Sequence, residues 1–154
     1  MIDVINIASD EIGNAGDKAQ KYNDWYYKKP GIKAAWCGTF VSWCFNQAGQ
    51  PLGVIDNLQG YCSVPNAAKH YSGAGLMTKT PIRNCICFFN WQGNTSNLAA
   101  LEHTGIFEKD NGDGKTFTSI EGNTSGQGGD QSNGGVVFRK IRYYSTAIFA
   151  QPFK

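Results

Sequence analysis

Apolar residues recur at helical spacing through the first half of the chain. The pattern predicts a helix from Asp3 to Ile12, and a short helix followed by a loop within residues 16–33. A longer helix is predicted from Cys37 to Ala48, with one apolar face. Ser63 suits an N-cap and Pro65 the first turn of a further helix. The first half of the chain is therefore predicted to be helical.

After Gly75 the pattern changes to that of strands. The predicted strands are residues 85–91, 103–109, 115–122, 136–142 and 145–153. The first is continuously apolar, which is typical of a strand buried on both faces. The second and third flank a glycine-rich turn and are predicted to pair as a hairpin. Helices followed by antiparallel strands indicate an α+β fold, and we expect one domain spanning residues 1–154.

Composition and charge narrow the classes of function. The net charge of +2 over 154 residues is too small to indicate a nucleic-acid partner. No apolar run approaches the roughly 20 residues of a membrane span. The N-terminus carries acidic residues where a signal peptide carries basic ones. We therefore expect a monomer made in the cytoplasm without a signal peptide, with no nucleic-acid or membrane partner.

The cysteines raise the question of a reactive thiol. Their number is five, so they cannot close into a complete set of disulfides, and buried reduced thiols are the ordinary interpretation. Cys37 differs because it opens a predicted helix, where backbone N–H groups and the positive end of the dipole favour a thiolate. Cys44 lies two turns further on, among apolar residues. Cys37 is therefore the candidate nucleophile.

A thiolate nucleophile needs a base, and the chain has two histidines. His70 lies in the helix after Ser63 and is interpreted as a surface residue. His103 opens a strand after a long loop, where a side chain can reach the floor of a cleft. The predicted hairpin brings Glu121 beside His103, and Asn123 is expected on the same face because it lies two residues further on. Either could orient the imidazole, and the sequence leaves the choice open.

Four segments of the chain resemble the CHAP family of cysteine- and histidine-dependent amidohydrolases and peptidases. In order, they are WCGTFVSWCFNQAG, FFNW, HTGIF and IEGNT. The resemblance implies a papain-like α+β fold, with N-terminal helices and the nucleophile helix packed on an antiparallel sheet. It implies Cys37 as nucleophile and His103 as base. It also implies Glu121 and Asn123 as orienting or polar partners.

The resemblance further implies a peptidoglycan hydrolase of the kind found in phage endolysins. Such an enzyme cleaves an amide bond of the wall, as an N-acetylmuramoyl-L-alanine amidase or as an endopeptidase of the stem peptide or cross-bridge. It would act on the bacterial cell wall after a lysin-like release from the cytoplasm. Trp91 ends an apolar strand at a loop and is predicted to form a wall for a stem peptide or sugar.

The chain departs from the family pattern before the nucleophile. Some members bind calcium through an acidic loop there, but the stretch KKPGIKAAW has no acid. Many papain-like enzymes also carry a glutamine shortly before the cysteine for the oxyanion hole, and none stands between Gln20 and Cys37. Tyr26 or Tyr27 is our candidate for the missing donor, and Tyr26 is also predicted to contact substrate.

Two other kinds of site are considered. Cys85 and Cys87 would present two thiols near His103, but structural zinc pairs usually span a knuckle, and this run is too apolar for one. A non-catalytic module that binds cell walls would suit the aromatic residues and the small positive charge. Such a module has no need for Cys37, His103 and Glu121 together. We therefore expect no metal and no cofactor.

Overall fold

A computed structural model describes residues 2–153 of the chain. Its α-helices are α1 (Val4–Asp10), α2 (Gln20–Tyr27), α3 (Cys37–Gln47) and α4 (Val64–Gly73). These confirm the predicted helices to within a few residues. The Asp3 carboxylate accepts the Ile5 N–H at the start of α1, and the Ser63 hydroxyl accepts the Asn66 N–H at the start of α4. Both caps satisfy N–H groups that have no partner within the helix.

Six strands form one antiparallel sheet in the order β3-β8-β4-β5-β6-β7, and two more form a small ribbon. The strands are β1 (Val54–Asp56), β2 (Leu58–Gln59), β3 (Met77–Thr78), β4 (Ile86–Phe89), β5 (His103–Asp110), β6 (Thr116–Thr124), β7 (Val136–Tyr143) and β8 (Ala147–Ala150). All five predicted strands are confirmed. The three additional strands hold two or three residues each, too few to show a periodicity of two.

Apolar side chains cover both faces of the central strand β4. Ile86 and Phe88 belong to the main core, which α1, α3 and α4 share with one face of the sheet. Cys87 and Phe89 point the other way, into a smaller cluster that includes Phe117. This arrangement explains why β4 reads as a continuous apolar run, and it confirms the α+β architecture with helices packed on an antiparallel sheet.

Two glycines let the start of α3 approach its neighbours closely. A Cβ added at Gly122 on β6 would lie 2.5 Å from Cβ and Cγ of Phe40. A Cβ added at Gly38 would lie 3.0 Å from the carbonyl oxygens of Tyr61 and Cys62. Larger residues at these positions would push the helix away. Gly122 therefore lets the start of α3 lie against the sheet, and Gly38 lets it lie against the segment Tyr61–Cys62.

Within residues 2–153, no helix is both long and apolar enough to cross a membrane. The longest helix, α3, has 11 residues.

Candidate active site

Cys37 is the first residue of α3 and is 5% exposed. In the described part of the chain, no side chain caps this helix N-terminus. Its first N–H groups therefore remain available beside the thiol, together with the positive end of the helix dipole. The sequence prediction that Cys37 opens a helix is confirmed, and the local field is one that favours an anion.

His103, the first residue of β5, is fully buried and has two different ring nitrogens. Nε2 lies 3.0 Å from Oε1 of Glu121. Nδ1 has no hydrogen-bond partner among the described residues, while the Cys37 thiol lies near enough to act on the ring. Burial alone would lower the pKa of His103, but Cys37 and Glu121 raise it to about 9. The ring is thus held as an imidazolium with Nδ1 left for the thiol.

Glu121 on β6 is the acceptor that orients this ring, and it is completely buried. Besides the bond from His103, its Oε2 accepts from the Ser119 hydroxyl at 2.5 Å and from Arg142 Nε at 2.9 Å. Arg142 Nη2 donates to Oε1 at 2.6 Å. Burial alone would raise the pKa of Glu121, but the bonds from Arg142 and His103 lower it to about 2. Glu121 is therefore a carboxylate at any working pH.

Asn123 does not lie on the face of Glu121, and that part of the sequence prediction is wrong. Its φ of 55° is left-handed, and the pairing of β6 with β7 shifts register between Glu121 and Thr124. The alternation of faces is therefore interrupted. The Asn123 amide instead donates to Asn133 Oδ1 at 2.9 Å and accepts the Gly135 N–H at 2.9 Å. Its contacts tie down the loop between β6 and β7, and a catalytic role for Asn123 stays a prediction.

Trp91 lies directly beside the imidazole, with ring centroids 5.7 Å apart. Its indole N–H donates to Ser132 Oγ at 2.7 Å, and its ring is only partly buried. This position suits a wall next to His103, so contact with substrate stays a prediction. Tyr26 is 1% exposed, and its hydroxyl donates to the Asp56 carbonyl at 3.1 Å. Its donor is therefore engaged elsewhere, and the geometry gives no support to Tyr26 as an oxyanion or substrate contact.

A cleft of about 410 Å³ lies beside the residues that precede the nucleophile. One wall is the segment Ala34–Trp36, and another is formed by Asn123 and the loop after β6, including Gly134. Four amide side chains line the cleft, together with two charged and several small residues. Polar linings of this kind can hydrogen-bond an extended peptide.

Sequence reasoning missed Arg142, which pairs with Glu121. It lies in β7 together with Arg139, and both residues belong to the same predicted strand. Only the register of β7 against β6, with Arg142 opposite Phe117, places it on the face of Glu121. No local signal in the sequence separates the two arginines.

Comparison with protein families gives one match: the model described as CHAP domain fits residues 12–123 of the 154-residue chain. The chain belongs to the CHAP family. CHAP domains are generally cysteine- and histidine-dependent amidohydrolases and peptidases linked to peptidoglycan. Comparisons with curated proteins and with solved structures gave no match.

The matched CHAP region holds Cys37, His103, Glu121 and Asn123. Within residues 2–153, no group of three or more His, Cys, Asp or Glu side chains is arranged to hold a metal ion. The five cysteines are all free thiols. Cys85 and Cys87 are buried and point into the apolar cluster of the sheet.

Proposed function

We propose that this CHAP domain is a peptidoglycan hydrolase that cleaves an amide bond with Cys37 as nucleophile. The observation that carries the proposal is the position of His103. One of its nitrogens is bonded to a buried carboxylate, and the other is left for the Cys37 thiol at a helix N-terminus. A nucleophile, a base and an orienting acceptor in this order make up the apparatus of acyl transfer.

The first half of the reaction forms an acyl-enzyme. The Cys37 thiolate attacks the carbonyl carbon of the scissile amide, and the carbonyl π electrons move to the oxygen. The Cys37 backbone N–H, at the uncapped start of α3, is proposed to donate to this oxyanion. As the C–N bond breaks, the His103 Nδ1 proton passes to the leaving nitrogen. An amine departs and a thioester remains.

The second half consumes water. The neutral His103 takes a proton from a water molecule, whose oxygen attacks the thioester carbonyl. The C–S bond breaks, which returns the thiolate and the imidazolium and releases a carboxylic acid that ionises in water. Glu121 keeps Nε2 protonated and stabilises the imidazolium in both halves.

The cleft beside Ala34–Trp36 supports a peptide substrate. Its amide-rich lining suits a wall stem peptide better than a lipid or a nucleic acid. The substrate would bind in this cleft whether the enzyme is an N-acetylmuramoyl-L-alanine amidase or an endopeptidase. Trp91 stands on the His103 side and is proposed to contact the sugar or peptide beyond the scissile bond.

The test uses purified peptidoglycan, with mass spectrometry of the released muropeptides to name the bond. Cys37→Ala should fold, and its activity should be lower than that of wild type by at least about 10³-fold. Cys62→Ala is the matched control because Cys62 is a partly exposed thiol that donates to Asp56. Near-full activity in Cys37→Ala would overturn the mechanism. Binding to walls without cleavage by the wild-type protein would instead show a non-catalytic wall-binding module.

An endolysin-like, bacteriolytic role belongs to the same proposal. The purified protein, acting as a monomer, should clear suspensions of susceptible Gram-positive cells when added from outside. Loss of turbidity should require Cys37 and should persist in a chelator, since catalysis is proposed to use no metal.

A further inference from the structure

Arg142 contacts several residues of the site in addition to its salt bridge with Glu121. Two of its N–H groups go to the two oxygens of Glu121, at 2.6 and 2.9 Å. Nη1 donates to Gln131 Oε1 at 3.0 Å, and Nη2 also reaches Thr124 Oγ1 at 3.2 Å. The guanidinium carbon lies 4.5 Å from the centre of the Trp91 ring. Arg142 is 9% exposed, so nearly every face of the guanidinium is occupied.

The charges at the site balance only when Arg142 is counted. A thiolate, an imidazolium and a carboxylate sum to one negative charge in a site where His103 and Glu121 are fully buried. An uncompensated buried charge is strongly unfavourable. The guanidinium brings this sum to zero. Arg142 therefore favours the ionisation state that the reaction needs.

The other titratable groups around Arg142 do not replace it. The groups that face it, its partners or Cys37 are His103 on β5, Cys37 itself on α3, Cys87 on β4, Lys140 on β7 and Tyr61. Burial raises the pKa of Tyr61 well above its ordinary value, so that hydroxyl is neutral. Burial, with the charge of Glu121, raises the pKa of Cys87 well above its ordinary value, so that thiol is neutral. Lys140 donates to the Ser125 carbonyl at 2.7 Å instead of to Glu121.

We propose that Arg142 is a positioning residue, which holds Glu121 in the orientation that serves His103 and sets the pH at which Cys37 becomes reactive. The inference rests on the proposed function for its meaning in catalysis, but its test does not need a substrate.

The direction of the effect follows from charge. With Arg142 present, loss of the thiol proton takes the site from a net charge of plus one to zero. Without it, the same step takes the site from zero to minus one. Removal of the cation should therefore move thiolate formation to higher pH, and the loss of the His103 proton moves the same way.

The experiment measures the rate of Cys37 alkylation by iodoacetamide against pH, with mass spectrometry to identify the modified thiol. Arg142→Met should raise the pH midpoint by about one unit, since Arg142 is joined through Glu121 to His103, the partner of Cys37, and a nearby charge shifts a titration by about one unit or more. Arg139→Met is the matched control on the same strand, because Arg139 pairs with Glu108 at an exposed position. It should leave the midpoint unchanged. A folded Arg142→Met with the wild-type midpoint would overturn the proposal.

If Arg142→Met fails to fold, a second variant provides the test. Arg142→Lys keeps the charge but cannot donate two parallel bonds to a carboxylate. It should keep the midpoint within about half a unit of wild type and lower the plateau rate of alkylation severalfold. A wild-type midpoint together with a wild-type plateau would overturn the proposal. Neither alkylation measurement uses peptidoglycan. If the proposed hydrolysis were wrong, the digestion experiment would leave the peptidoglycan uncut, whatever the alkylation results.

Discussion

Replacing Glu121 by Gln removes one charge at the centre of the candidate site and keeps the shape of the side chain. The carboxylate accepts four hydrogen bonds, from His103, Ser119 and two from Arg142. A Gln has one acceptor oxygen, and its NH₂ group must face at least one N–H of Arg142 in either orientation. The Arg142 cation is then left buried without a counter-charge.

The size of the effect follows from that burial. Breaking a buried ion pair by removing one partner costs about 3–5 kcal/mol. For a chain of this length, each kcal/mol moves Tm by about 2–4 °C. Glu121→Gln should therefore lower Tm by about 6–20 °C at pH 7. The exposed pair of Glu108 with Arg139 is the comparison, since surface pairs contribute about 0–1 kcal/mol.

The assay is thermal unfolding followed by circular dichroism, for wild type, Glu121→Gln and Glu108→Gln. The double variant Glu121→Gln with Arg142→Met removes both charges and should recover part of the lost stability. If Glu121→Gln melted within about 4 °C of wild type, as Glu108→Gln should, the buried pair would not hold the energy assigned to it here.

Three further predictions concern packing, pH and thiol reactivity. Gly122→Ala should cost about 1–3 kcal/mol in urea unfolding, because its Cβ would lie 2.5 Å from Phe40 atoms. The raised pKa of His103, about 9, contributes stability that is fully present below its ordinary value of 6.5. The free energy of unfolding should therefore fall by at most about 3 kcal/mol as pH rises from 6.5 to 9. Cys37 should alkylate faster than the more exposed Cys62, whose pKa is raised by burial and by its bond to Asp56.

Each of these predictions has its own comparison. Among residues 2–153, nothing lies within 4 Å of a Cβ added at Gly126, so Gly126→Ala should unfold like wild type. His103→Gln should flatten the stability profile between pH 6.5 and 9. Peptide mapping that placed Cys62 ahead of Cys37 would remove Cys37 from the role of nucleophile.

Local patterns were enough to predict the helices, the five longer strands and the meeting of His103 with Glu121. The helix period of 3.6 residues and the strand period of 2 involve residues close together in the chain, so both can be read from one sequence. The pair of His103 and Glu121 is also nearly local, because a hairpin joins β5 to β6. A register shift between Phe107 and Lys109 then sets which residues of the two strands share a face. The place of Cys37 at a helix start was predictable for the same reason.

The tertiary structure alone decided which side chains complete the site. A left-handed residue at Asn123 interrupts the alternation of β6 and turns that amide toward the loop after β6. The pairing of β7 with β6 brings Arg142, rather than Arg139, to Glu121. Tyr26 is drawn into the interior by its bond to Asp56. Each outcome depends on how segments that are distant in the chain pair or pack together. The spacing of residues within one segment does not reveal such contacts.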